Sequence, residues 1–176
     1  MESDWLWEED SFDLVHIRYM FSAIQDWPRL LSQAHATLKP GGWVEVTEMD
    51  IIPTSDDGTV TADYKLVQYF DILKRAARGK GFNLEVAPYI KEMVSRAGYQ
   101  NVVENIYKLP LGPWAVDREL RMVGLYHREQ FLDGLQGIII KYLVAVEHWL
   151  PQEVEVFLAS VRSQIMDKNI HCYWKM

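Results

Sequence analysis

An α/β fold is predicted by three stretches near the start of the chain. Ser11-Phe12-Asp13-Leu14-Val15-His16-Ile17-Arg18 is short and largely apolar, as a strand buried on both faces would be. Trp27, Leu31, Ala34 and Leu38 recur at 0, +4, +7 and +11, the spacing of one buried helix face. Trp43-Val44-Glu45-Val46 follows as a second apolar run, predicted to be a buried strand. Strand, helix and strand in that order make a βαβ unit, whose right-handed crossover sets the two strands parallel.

Each element has local reasons to form. Asp26 can cap the helix through its side chain, and Pro28 sits where a missing N–H costs nothing. Lys39 suits the negative end, while Pro40, Gly41 and Gly42 stop the helix and predict a tight turn. From Asp50 to Thr61, Pro53, Ser55, Asp56, Asp57 and Gly58 predict a turn-rich loop. The paired aspartates lack further oxygen ligands in register, so a solvated turn is expected there and no metal. Leu66, Tyr69, Phe70, Leu73, Ala76 and Ala77 form the inward stripe of a second helix. Gly79-Lys80-Gly81 follows a helix rather than a strand, which makes it a helix stop and not a phosphate loop. Pro88 opens a third helix with Ile90, Met93, Val94 and Ala97 inward and Gly98 as its end. Val102 to Leu109 predicts a third strand, closed by Pro110-Leu111-Gly112-Pro113-Trp114.

Asp117 to Asp167 reads as helical. Val116, Leu120, Val123, His127 and Phe131 fall on one stripe, which puts His127 on a mainly apolar face. A hydrogen-bonded core histidine is the default there, ahead of a catalytic base. Ile138 to Val146 is apolar nearly all round and so must be buried on several sides or lie in an interface. Pro151 marks another helix start, with Val154, Phe157, Leu158, Val161 and Ile165 inward.

Composition bounds the function. The 176 residues are 49% hydrophobic and 12% aromatic, enough for one domain with a real core. A formal charge of −7 without any basic run argues against a nucleic-acid surface and toward small-molecule or protein partners. Cys172 is the one cysteine, which excludes an internal disulfide and a cysteine-rich zinc site and suits a reducing compartment. Neither a secretory signal nor an apolar run long enough to span a bilayer is present, so no membrane partner is expected.

In open α/β sheets ligands lie beyond the carboxyl ends of the strands, which directs attention to His16–Met20 and Glu48–Asp50. Phe12-Asp13-Leu14-Val15-His16, Asp26-Trp27-Pro28, Leu38-Lys39-Pro40-Gly41-Gly42-Trp43 and Glu48 resemble the second half of a class I S-adenosylmethionine-dependent methyltransferase. More closely, with Ser55-Asp56-Asp57-Gly58, Gly112-Pro113-Trp114 and Ile170-His171-Cys172-Tyr173-Trp174, the chain is similar to the fungal LaeA-like group of secondary metabolism.

The resemblance implies a partial Rossmann-like sheet (1–114) with a C-terminal helical insertion (115–170), together one incomplete domain over 1–176. The family's glycine-rich turn and ribose-holding acid are expected to lie before Met1, and its last strand after Met176, so both sheet edges are expected to be cut. S-adenosylmethionine is the implied cofactor, with His16, Arg18 and Met20 as candidate cofactor positions and weak binding expected of this chain. Glu48, Trp114, Tyr126, His127 and Trp149 are the candidate substrate-pocket positions, Trp114 being either a pocket wall or a packing anchor. No catalytic residue is assigned. The implied function is methylation of a small-molecule intermediate. The alternative is a protein that does not methylate, either a cyclase folding a polyketide or terpenoid or a scaffold for a regulatory protein. The open strand edges predict self-association, and the resemblance implies an intracellular location, cytoplasmic or nuclear.

Overall fold

The computed structural model describes residues 3–176. The chain forms two compact units, one of Met1–Asp50, Lys80–Ile106 and Met176, the other of Ile51–Gly79 and Tyr107–Lys175. This interleaved division differs from the expected boundary after residue 114, because the segment of 80–106 returns to the first unit.

The first unit is the predicted βαβ. Strand β1 (Phe12–Arg18) pairs in parallel with β2 (Leu38–Thr47), and helix α1 (Trp27–Thr37) joins them. The Asp26 side chain accepts from the Arg29 N–H at 2.9 Å, the cap that the sequence predicts. Trp27, Leu31, Ala34 and Leu38 are all buried. With Ile17, Ile24, Leu30, Val86 and Val94, Trp27 and Leu31 make the core, against which α3 (Ile90–Arg96) lays Ile90 and Met93. Gly98 adopts φ +100° just past α3, as a glycine stop should.

Two expectations for these strands are corrected. Pro40-Gly41-Gly42 does not precede β2 but lies within it, as an excursion of Lys39–Gly42 opposite Asp13, between the pairs Phe12↔Leu38 and Leu14↔Trp43. Gly41 makes this possible at φ +83°. Nor are the strands buried on both faces: Leu14 is 54% exposed and Trp43 70%, because no element covers that side. Among the described residues β1 and β2 form a two-stranded sheet, which leaves the outer edge of β1 open.

The second unit holds a three-stranded sheet in the order β3-β5-β4. Asp50–Thr54, expected as loop, is strand β3, and the predicted turn begins only after it. The strand expected at Val102–Leu109 shrinks to β4 (Lys108–Pro110). Val103, Ile106 and Tyr107 before it are solvent-exposed and have no ladder. β4 does not lack its partner: β5 (Tyr173–Lys175) pairs with it antiparallel.

Three helices pack in this unit, α2 (Lys65–Arg78), α4 (Arg118–Ala145) and α5 (Pro151–Ile165). The inward stripes predicted for α2 and α5 hold, with Phe157 half-buried, and the Tyr69 hydroxyl donates to the Leu135 carbonyl at 2.9 Å across α2 and α4. Phe70, Phe131 and Trp174 pack ring to ring, their centroids 5.5 to 6.0 Å apart. The start of α4 departs from its predicted stripe, since Val116, Leu120 and Val123 face solvent and burial begins at Gly124. In the Ile138–Val146 run only Ile139 and Leu143 are buried, with Ile138, Val144 and Val146 exposed. No helix of the described residues is long and apolar enough to cross a membrane.

Candidate functional site

The two strand ends singled out in the sequence meet in the first unit. After β1, Tyr19 turns the chain at φ +52° while its N–H still donates to the Thr47 carbonyl at 3.0 Å. Glu48 is buried just past β2, and its carboxylate accepts from the N–H of Met20 at 2.6 Å and of Phe21 at 3.4 Å. Burial raises its pKa above 4.5, against the pull of those two N–H groups. The N–H groups of Ala23 and Ile24 donate in turn to the Met20 carbonyl. Nearly every main-chain donor of this turn is thus engaged within the unit.

A different arrangement occupies the second unit. The turn at Ser55–Gly58 meets the segment at His171–Tyr173, more than a hundred residues away in sequence. Asp57 accepts from the Thr59 hydroxyl at 2.8 Å and lies 2.6 Å from His171 Nδ1. Hydrogen bonds from Thr59 first, then from His171, hold the Asp57 pKa down to about 2. An ionised carboxylate can only accept, so the Nδ1 hydrogen belongs to His171 and its Nε2 is left for another partner. Asp56 accepts from the Tyr173 hydroxyl at 2.7 Å and pairs with Lys108, whose ammonium lies 4.8 Å from the Tyr173 ring centroid.

Trp114 stands beside His171, ring centroids 5.4 Å apart, and its indole N–H donates to the Cys172 carbonyl at 3.0 Å. These rings are on the wall of a cavity of about 370 Å³ whose other walls include Arg128, Ile165, Lys168 and Ile170. Arg128 is held on the wall by Glu129, which accepts from its Nη2 at 2.8 Å. Cys172 itself is buried, which pushes its thiol up to about 12 and makes it inert.

The five residues expected to share a substrate pocket do not converge. Trp114 lines the cavity and is also a packing anchor through its indole N–H. His127 lies behind the wall, its Nδ1–H donating to the Pro110 carbonyl at 2.9 Å and its ring 5.1 Å from that of Trp174. Burial lowers its pKa, which keeps it a neutral core histidine. Tyr126 is 68% exposed, Trp149 packs on Phe157, and Glu48 belongs to the other unit. Of the candidate cofactor positions, His16 is 3.0 Å from Glu45 on the strand surface, Arg18 sits over the Tyr19 ring, and Met20 packs on the core. Asp57, His171, Arg128 and Lys168 escaped the sequence reading of the site. The one available signal was that the stretches carrying Asp57 and His171 belong to the same family resemblance.

Residues 1–104 match the profile of the family described as methyltransferase domain. The chain belongs to the methyltransferase-domain family. Among curated relatives of this family member, methyltransferase pytC of Aspergillus terreus is 33% identical over 171 residues, 97% of this chain and 52% of that protein. The secondary metabolism regulator LAE1 of Cochliobolus heterostrophus is 29% identical over 174 residues, 98% of this chain and 57% of that protein. The chain thus spans about half the length of these relatives. Among solved structures, Haemonchus contortus phosphoethanolamine N-methyltransferase 2 aligns over 96% of this chain and 33% of that one, at 18% identity and a TM-score of 0.45.

The turn after β1, which carries the candidate cofactor positions, does not by itself fit S-adenosylmethionine. The cofactor's charged tail needs free main-chain donors at a strand-to-helix turn and its ribose a free carboxylate. The turn after β1 has its donors engaged by Glu48, Thr47 and Met20, and Glu48 is buried against two of them. Gly41 and Gly42 serve the β2 excursion instead.

Proposed function

We propose that this chain serves methyl transfer to a small-molecule intermediate of fungal secondary metabolism, and that its own residues supply the acceptor side. The observation that carries the reading is the cavity beside Trp114, of a size suited to a small organic molecule and walled by apolar groups with a few polar ones. Methyl transfer needs alignment of its reactants more than acid–base machinery, so a shaped pocket is the part such a chain must provide. Family membership and the relatives' printed functions support this reading.

A ligand-observed NMR screen of aromatic and terpenoid compounds, followed by hydrogen exchange with each hit, tests it. Protection is expected in peptides covering Leu111–Trp114 and Met166–His171. Protection elsewhere, or no hits, would refute it.

The engaged donors of the turn after β1 favour a second reading, that the chain folds a polyketide or terpenoid for cyclisation or docks a regulatory protein without methylating anything. The open β1 edge, with Leu14 and Trp43 exposed, supports self-association, which sedimentation velocity over a range of concentrations would reveal.

A further inference from the structure

The cavity beside Trp114 has a definite chemical character, and the inference here rests on reading it as the acceptor site. Trp114 and His171 pack on each other at a tilt of 38°, and both belong to the cavity wall, where Trp114 offers aromatic surface to a planar ring. Both are fixed, Trp114 by the Cys172 carbonyl and His171 by Asp57. Ile165 and Ile170 add apolar surface.

The charges on the walls are uneven. Arg128 is largely withdrawn from solvent and is neutralised by Glu129. Asp167 is engaged by its own turn, accepting from the N–H and the side-chain amide of Asn169. Among the described residues Lys168 has no hydrogen-bond or ion-pair partner, so its ammonium at the cavity wall is free to take a ligand's carboxylate. His171 Nε2 can accept from a hydroxyl, since Asp57 already holds Nδ1–H.

We propose that this cavity binds a small hydroxylated aromatic carboxylic acid, its ring against Trp114, its carboxylate at Lys168 and its hydroxyl at His171 Nε2. An aliphatic acid would lose the ring contacts and a neutral aromatic the cation.

Isothermal titration of the full chain with 3-hydroxybenzoate, 3-hydroxybenzyl alcohol and 3-hydroxycyclohexanecarboxylate tests this. Saturable binding is expected for 3-hydroxybenzoate alone, weakened about threefold by Lys168→Ala and about tenfold by His171→Gln. Lys168 is exposed, so its variant should keep the wild-type circular dichroism and report on the charge alone. Equal binding of the alcohol or of the cyclohexane acid, or no effect of either variant, overturns the proposal but leaves the acceptor-site reading standing. Binding of none of the three overturns both.

Discussion

The turn after β1 and the cluster around His171 both gather polar groups next to aromatic side chains, yet they use them differently. In the turn, Glu48 reaches inward and accepts from the N–H groups of Met20 and Phe21. In the cluster, Asp57 saturates only one side of His171, and the other ring nitrogen, the Trp114 face and Lys168 are left at a cavity. A buried carboxylate bonded to main chain is a structural clamp, because any ligand would have to displace bonds worth keeping. A half-satisfied side chain on a cavity wall is a recognition element.

That contrast can be broken by substitution, and the largest effect is expected where the first unit is most tightly packed. Leu31→Ala, at a fully buried position of α1, should lower stability by roughly 2–5 kcal/mol in urea unfolding. A change below about 0.5 kcal/mol, typical of a surface site, would mean that α1 does not anchor the β1–β2 pair. In the second unit Gly124→Ala places a Cβ 2.1 Å from the Gly112 carbonyl oxygen, where backbone must shift. About 1–3 kcal/mol of destabilisation is expected, together with weaker ligand binding, since Gly112 is part of the cavity wall. Glu48→Ala should cost about 1–3 kcal/mol, because two buried N–H groups lose their acceptor. If the variant were instead as stable as wild type, water would be reaching the turn and its donors would be open to ligands.

The smallest effect is the most specific to the cluster. Asp57 has its pKa lowered from 3.8 to about 2, so its contribution to stability is fully present above pH 3.8 and is lost as pH falls through about 2. The stability difference between wild type and Asp57→Asn should therefore be constant above that window and vanish below it. A difference that persists at pH 2 would show that the Asp57 bonds do not depend on its charge.

How far the sequence could be read follows from the same contrast. The cap at Asp26, the α1 face and the inward stripes of α2 and α5 depend on neighbours within a few residues, and spacing alone revealed them. β3 was hidden because Pro53 and the aspartates after it read as a turn, although Ile51 is fully buried and Thr54 closes the strand. The exposed start of α4 was missed because periodicity gives a face but not what covers it. Asp57 and His171 are 114 residues apart, and no local pattern connects them. Trp149 and Tyr126 were grouped with Trp114 through family resemblance, whereas Tyr126 on α4 is exposed and Trp149, between α4 and α5, packs on Phe157.

The central claim, that ligand recognition lies at the Trp114–His171 cavity and not at the turn after β1, is tested most directly by amide and indole chemical shifts. Labelled protein titrated with 3-hydroxybenzoate should show saturable shifts of the Trp114 indole N–H and of the Lys168 and His171 amides. Titration with S-adenosylmethionine should leave Met20 and Phe21 unmoved, as their N–H groups stay on Glu48. Saturable shifts of Met20 and Phe21 at micromolar S-adenosylmethionine, with a silent Trp114, would contradict the account.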